Sequence, residues 1–157
     1  MSFARLIDRF KQGVRPAQDG RQSGHDPLRL ATAAVLLDIA YADGTFTPAE
    51  DGNMVEYLRQ AFALDDTAAQ ELIEAASEIR THTIDYFAIT NHIRKQTSLE
   101  ERIHIVKTMW RMVYSDGRLT DYENYLVRKL ADLLGLEHRV MIGAKVEVLR
   151  ELGMAAD

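Results

Sequence analysis

The sequence predicts an all-α fold: a single bundle-like domain of about seven helices built around two pseudo-repeated helical hairpins. Three observations predict it. Apolar residues recur at helical spacing almost everywhere, and no long segment alternates with period 2. Helix breakers are scarce, with three prolines and nine glycines in 157 residues. And the stretch ADGTFTPAE, residues 42–50, returns seventy-three positions later as SDGRLTDYE, sharing Asp-Gly, an apolar residue, Thr, and Glu three residues on.

The elements follow in order. Residues 2 to about 11 place Phe3, Leu6, Ile7 and Phe10 on one narrow stripe, with Arg5, Arg9 and Lys11 off it. Residues 13–27 carry almost no large apolar group and read as a flexible linker. The division is therefore an amphipathic helix and linker over 1–27, then a helical domain over 28–157. The domain opens with LRLATAAVLLDIAYADG, apolar on most of its circumference, a buried helix from about Leu28 to Ala42. A second helix, Pro48 to about Phe62, turns Met54, Tyr57, Leu58 and Ala61 inward. A third, Thr67 to Ile79, buries Leu72, Ile73 and Ala76. The stretch THTI at 81–84 reads as a connection. A fourth helix, about Asp85 to Lys95, uses Tyr86, Ile89 and Ile93. The fifth opens at Ser98 with Glu101 three residues on, a capping box, and runs to about Ser115. A sixth spans Asp121 to Leu134. A seventh spans about Glu137 to Glu151, with Met141, Ala144, Val148 and Leu152 on one side.

The repeat extends beyond its motif. At the same offset Leu30, Ala33, Leu36, Leu37 and Ala40 align with Ile103, Val106, Met109, Trp110 and Val113, and Tyr41 aligns with Tyr114. Two buried helices thus carry matching inner faces, and each ends at Asp-Gly. Matching faces need similar surroundings, most simply met by mutual packing.

Turn chemistry explains most of the motif. Gly44 and Gly117 sit at C′, where glycine takes the left-handed conformation freely. Thr47 and Thr120 are N-caps, with Glu50 and Glu123 as their N3 partners. Pro48 suits N1. Phe46 and Leu119 occupy the staple position. Asp43 and Asp116 are not covered by this account, since an acid in the last turn faces the negative end of the helix dipole. Either each closes an Asx-turn, or Asp43 with Glu50, and Asp116 with Glu123, offers carboxylate oxygens to a divalent cation such as Ca²⁺ or Mg²⁺. An EF-hand is excluded, because its loop has about 12 residues with acids at other positions.

These residues carry a resemblance. AYADGTFTPAE, VYSDGRLTDYE, the SLEERI entry to the fifth helix and the LADLLGL ending the sixth resemble the TerB-like family, named for bacterial tellurite-resistance proteins. The resemblance covers about Leu28 to Leu152. It implies an all-helical fold and divalent metal at the acidic turns, here Asp43, Glu50, Asp116 and Glu123. It also implies a small bacterial binding or adaptor module in a stress or envelope-associated response. In one respect the copies differ: Pro48 and Gly52 stand where the second has Asp121 and Tyr125. The first turn thus has one carboxylate fewer. Without cysteine, the chain has no thiol with which to trap or reduce tellurite.

Composition narrows the function further. The apolar and charged fractions, 46% and 27%, are ordinary for a globular protein. A net charge of −5 argues against a nucleic-acid partner. No apolar run suggests a signal peptide or membrane span, so a cytoplasmic location is expected. The stripe over residues 2–12 is too short to hold a helix alone. It is expected to dock on the body, on a protein partner, or weakly on a membrane surface. The protein partner itself is unknown. No histidine pair has metal spacing, and no phosphate loop, nucleophile elbow or triad is visible. The enzymatic alternative is a metal-dependent hydrolase using the repeated Asp/Glu motif. DYENY, 121–125, is acidic and aromatic: a partner-binding corner, or a first turn whose acids suit the dipole.

Overall fold

The computed structural model describes residues 26–42, 48–80, 86–115 and 119–154, with the backbone alone at 48–50 and 79–80. Among these residues lie seven α-helices and no strand: α1 (Pro27–Ala40), α2 (Pro48–Phe62), α3 (Asp66–Arg80), α4 (Tyr86–Gln96), α5 (Leu99–Tyr114), α6 (Asp121–Leu133) and α7 (His138–Glu151). The expected N-terminal helix at 2–11, the linker up to residue 25 and the connection at 81–84 lie outside them.

α1 is the centre of the molecule. Every residue from Leu30 to Ala40 is buried. The reason is its surroundings: it packs against α2, α3, α4, α5 and α6, so no side faces water. The two polar residues in this run are each satisfied. Thr32 donates to the Leu28 carbonyl at 2.8 Å, and the Asp38 carboxylate accepts from the Tyr86 hydroxyl. Asp26 caps the helix, accepting from the N–H of Leu28 at 2.9 Å and of Arg29 at 3.2 Å. Pro27 then stands at N1. α1 therefore starts one residue earlier than expected.

The repeat is visible in the packing. α1 touches α5, so the two matched helices do meet. α2 and α3 pack on α1 and on each other, as α6 and α7 do with α5. Across the halves, α2 packs on α5 and α6 on α1. The hairpins close alike as well. Arg29, near the start of α1, lies 5.4 Å from the Phe62 ring at the end of α2. Arg102, seventy-three positions on, donates to the Leu134 carbonyl at the end of α6 at 2.8 Å. Each hairpin is thus antiparallel. α5 and α7 instead run parallel, because Lys107 pairs with Glu147 and Arg111 with Glu151, four residues on in both.

Most expected inner faces are buried: Met54, Leu58, Leu72, Ile73, Ala76, Ile89, Ile93, Met141, Ala144 and Val148. Tyr57, Tyr86 and Ile103 are half-buried. Two expectations are corrected. Ala61 is exposed, since it faces a cleft rather than the core. Leu152 is exposed because α7 ends at Glu151 and the chain turns away at Gly153, φ 71°.

Candidate functional site

Of the four acids singled out by the repeat, Asp43, Asp116 and the side chain of Glu50 lie outside the described residues. Glu123 lies within them. It is buried, and its Oε1 accepts the Thr120 N–H at 2.9 Å, while the Thr120 hydroxyl accepts the Glu123 N–H at 3.1 Å. The capping box expected of the second copy is therefore formed, as is the one at Ser98 and Glu101. Leu119 packs on the core, as a staple residue should. Among the described residues no three imidazole or carboxylate side chains gather as a metal-binding group.

Two further features come from residues distant in sequence. The first is a cleft of about 510 Å³ between α2 and α5. Asn53, Glu56, Tyr57 and Gln60 line one wall; Glu101, His104, Thr108 and Arg111 line the other; Thr32 of α1 lies between. Burial, and then the charge of Glu101, raise the pKa of the Tyr57 hydroxyl and hold it protonated. Arg111 is engaged by Glu151 through two bonds, at 2.9 and 3.0 Å. The hydrogen bond from Arg111 is the first cause holding the Glu151 carboxyl below its usual range. The cleft was not legible beforehand, because its polar residues, Glu101 of the capping box apart, follow no motif.

The second feature is an aromatic corner where α6 begins. Tyr122 and Tyr125 are 53% and 56% exposed, with ring centroids 6.3 Å apart. Lys129 lies 5.9 Å from the Tyr125 ring and 5.3 Å from that of Tyr86 on α4. Phe87, next in the chain, is 69% exposed. DYENY pointed to the tyrosines; Lys129 stands one turn after Tyr125 on α6 and reaches Tyr86 through the packing of α4 on α6. Large exposed rings beside a cation suit a partner surface, where aromatic anchors carry much of the binding energy.

No described helix is long and apolar enough to cross a membrane. No curated protein and no solved structure matches the chain. A family model described as "Tellurite resistance protein TerB" matches residues 29–146, from the first turn of α1 into α7. With its all-helical fold and doubled hairpin, the chain belongs to the TerB family.

Proposed function

We propose that this TerB-family domain is a binding or adaptor module that engages a protein partner through the corner of Tyr122 and Tyr125. The observation that carries the reading is the exposure of these two adjacent rings at the start of α6. Such surfaces are enriched where proteins meet. The corner follows Asp116 closely in sequence and includes the helix turn of Glu123, so a divalent cation held by Asp116 and Glu123 would change the charge beside it. Cation occupancy is thereby a means of regulating the contact. A place in a stress or envelope-associated response in the cytoplasm rests on the family resemblance and is part of the same proposal.

The test is capture of partners from native cell extract, with chelator and with millimolar Ca²⁺ or Mg²⁺, using wild type and the Tyr122→Ala/Tyr125→Ala double variant. The proposal expects a captured protein whose recovery falls with the double variant at unchanged melting temperature. Equal recovery by both proteins would sink the corner as the contact.

A further inference from the structure

α4 belongs to the repeat too, and its counterpart is in the sequence. Its inner line is Tyr86, Ile89, Thr90 and Ile93, with Arg94 following. Eighty-three positions earlier, Phe3, Leu6, Ile7 and Phe10 show the same spacing, with Lys11 following. The chain therefore reads as four elements written twice. The copies differ in the segment after the first element: α4 leads almost directly into α5, while residues 12–26 precede α1. Such a length, fully extended, spans up to about 50 Å, so reach does not limit where residues 2–11 can lie.

The packing says where the counterpart of α4 belongs. α4 lies on α1 and α6 and touches α5. Exchanging the halves turns these three into α5, α2 and α1, the helices that line the cleft. The match extends to residues. Asp38 and Lys129 hold Tyr86, one through its hydroxyl and one over its ring. Seventy-three positions from them stand Arg111 and Glu56, one on each cleft wall. Charge agrees. The cleft carries Glu56, which accepts from Gln60 and lies 3.4 Å from Arg59, and Glu101, one of whose oxygens caps α5, while its Arg111 is engaged by Glu151. Residues 2–11 bring Arg5 and Arg9 beside the stripe and Lys11 after it, against Asp8 alone. Among the described residues no helix covers this site.

We infer that residues 2–11 form a helix that docks in the α2–α5 cleft as the counterpart of α4. The cleft is thus an intramolecular docking site for the chain's own N-terminal segment. Phe3, Leu6, Ile7 and Phe10 lie toward Tyr57, Ile105 and Thr108, and the basic flank lies toward Glu56 and Glu101. Phe3 needs no bond to Arg111, because it lacks the hydroxyl by which Tyr86 reaches Asp38.

The chain has no cysteine, so a Gln60→Cys variant of the full chain carries a nitroxide at the exposed cleft rim alone. Docking predicts that the amide NMR signals of residues 3–10 are lost in the paramagnetic sample and return when the nitroxide is reduced. Adding Leu6→Asp and Phe10→Asp to the same labelled chain should restore them while helix content persists. Sharp signals from residues 3–10 in the labelled parent chain would overturn the inference. So would broadening only when labelled chain is mixed with isotope-enriched, unlabelled chain, which reports contact between copies. Broadening only with anionic vesicles present would overturn it as well, in favour of a membrane surface.

Discussion

Ala63 and Gly135 both take left-handed backbone, with φ of 54° and 85°, at the ends of the equivalent helices α2 and α6. In each, a following N–H returns to the last turn: Leu64 to the Arg59 carbonyl and Leu136 to that of Ala131, both at 3.0 Å. The geometry is the same and the residue type is not.

That difference predicts opposite outcomes. An L-residue in the left-handed region costs about 1–2 kcal/mol, partly offset by the greater unfolded-state freedom of glycine. Ala63→Gly is expected to stabilise the protein by roughly 0.5–1 kcal/mol. Gly135→Ala should destabilise it by about 1–2 kcal/mol, and its new Cβ would lie 3.0 Å from both Arg102 Nη1 and Arg94 Nε. Urea unfolding of both variants checks the pair. A melting point lowered by Ala63→Gly would contradict the account.

Glu123 separates turn chemistry from metal binding. Thr120→Ala removes the hydroxyl that caps α6 and should cost about 1 kcal/mol. Glu123→Gln keeps an oxygen for the Thr120 N–H and should cost little in chelator. If a cation binds at 100 times its Kd, it adds about 2.7 kcal/mol, which at roughly 2–4 °C per kcal/mol raises Tm by about 5–10 °C. Asp43→Asn with Asp116→Asn is then expected to abolish that rise. A wild-type Tm that does not move between chelator and millimolar Ca²⁺, Mg²⁺ or Mn²⁺ removes the metal site.

On the acid side, Glu151 should contribute a small slope. Its folded pKa is depressed by its bond from Arg111. The stability it contributes is present above the unfolded carboxylate pKa and is lost as pH falls through the folded value. The pair is half-open to solvent, so the contribution is about 0.5 kcal/mol or less. Wild type should therefore exceed Glu151→Gln in Tm at neutral pH, with the gap closing below about pH 4. A gap independent of pH would contradict it.

On the alkaline side, Tyr57 acts in the opposite sense. Its pKa is raised by burial and by Glu101, so stability is intact below the unfolded tyrosine pKa of about 10 and falls as pH rises beyond it. Tyr57→Phe should flatten that alkaline loss. An unchanged profile above pH 10 would show that the hydroxyl ionises as freely in the folded protein as in the unfolded one.

The repeat was legible because apolar phase and turn chemistry are local signals. Leu36 and Met109, or Thr120 and Glu123, announce their roles through neighbours three or four residues away. Helix bounds shifted by a residue or two for equally local reasons. Asp26 and Pro27 form a cap-and-start pair whose neighbours resemble linker. The cleft was not legible, because Tyr57, Glu101 and Arg111 meet only after α2 and α5 pack. Asp38 gave no sign of its partner either, since Tyr86 lies on α4 across the core.

The burial of every residue from Leu30 to Ala40 bears on how the protein is made. A ribosome releases Leu30–Ala40 well before α6, the last helix that covers them. At about 5–20 residues per second, the wait is on the order of seconds. During it the nascent chain displays a largely apolar stretch whose polar side chains are Thr32 and Asp38 alone, a natural handle for a holdase or for a neighbouring nascent chain. Polysome crowding should therefore penalise this protein more than one whose first helix keeps a polar face.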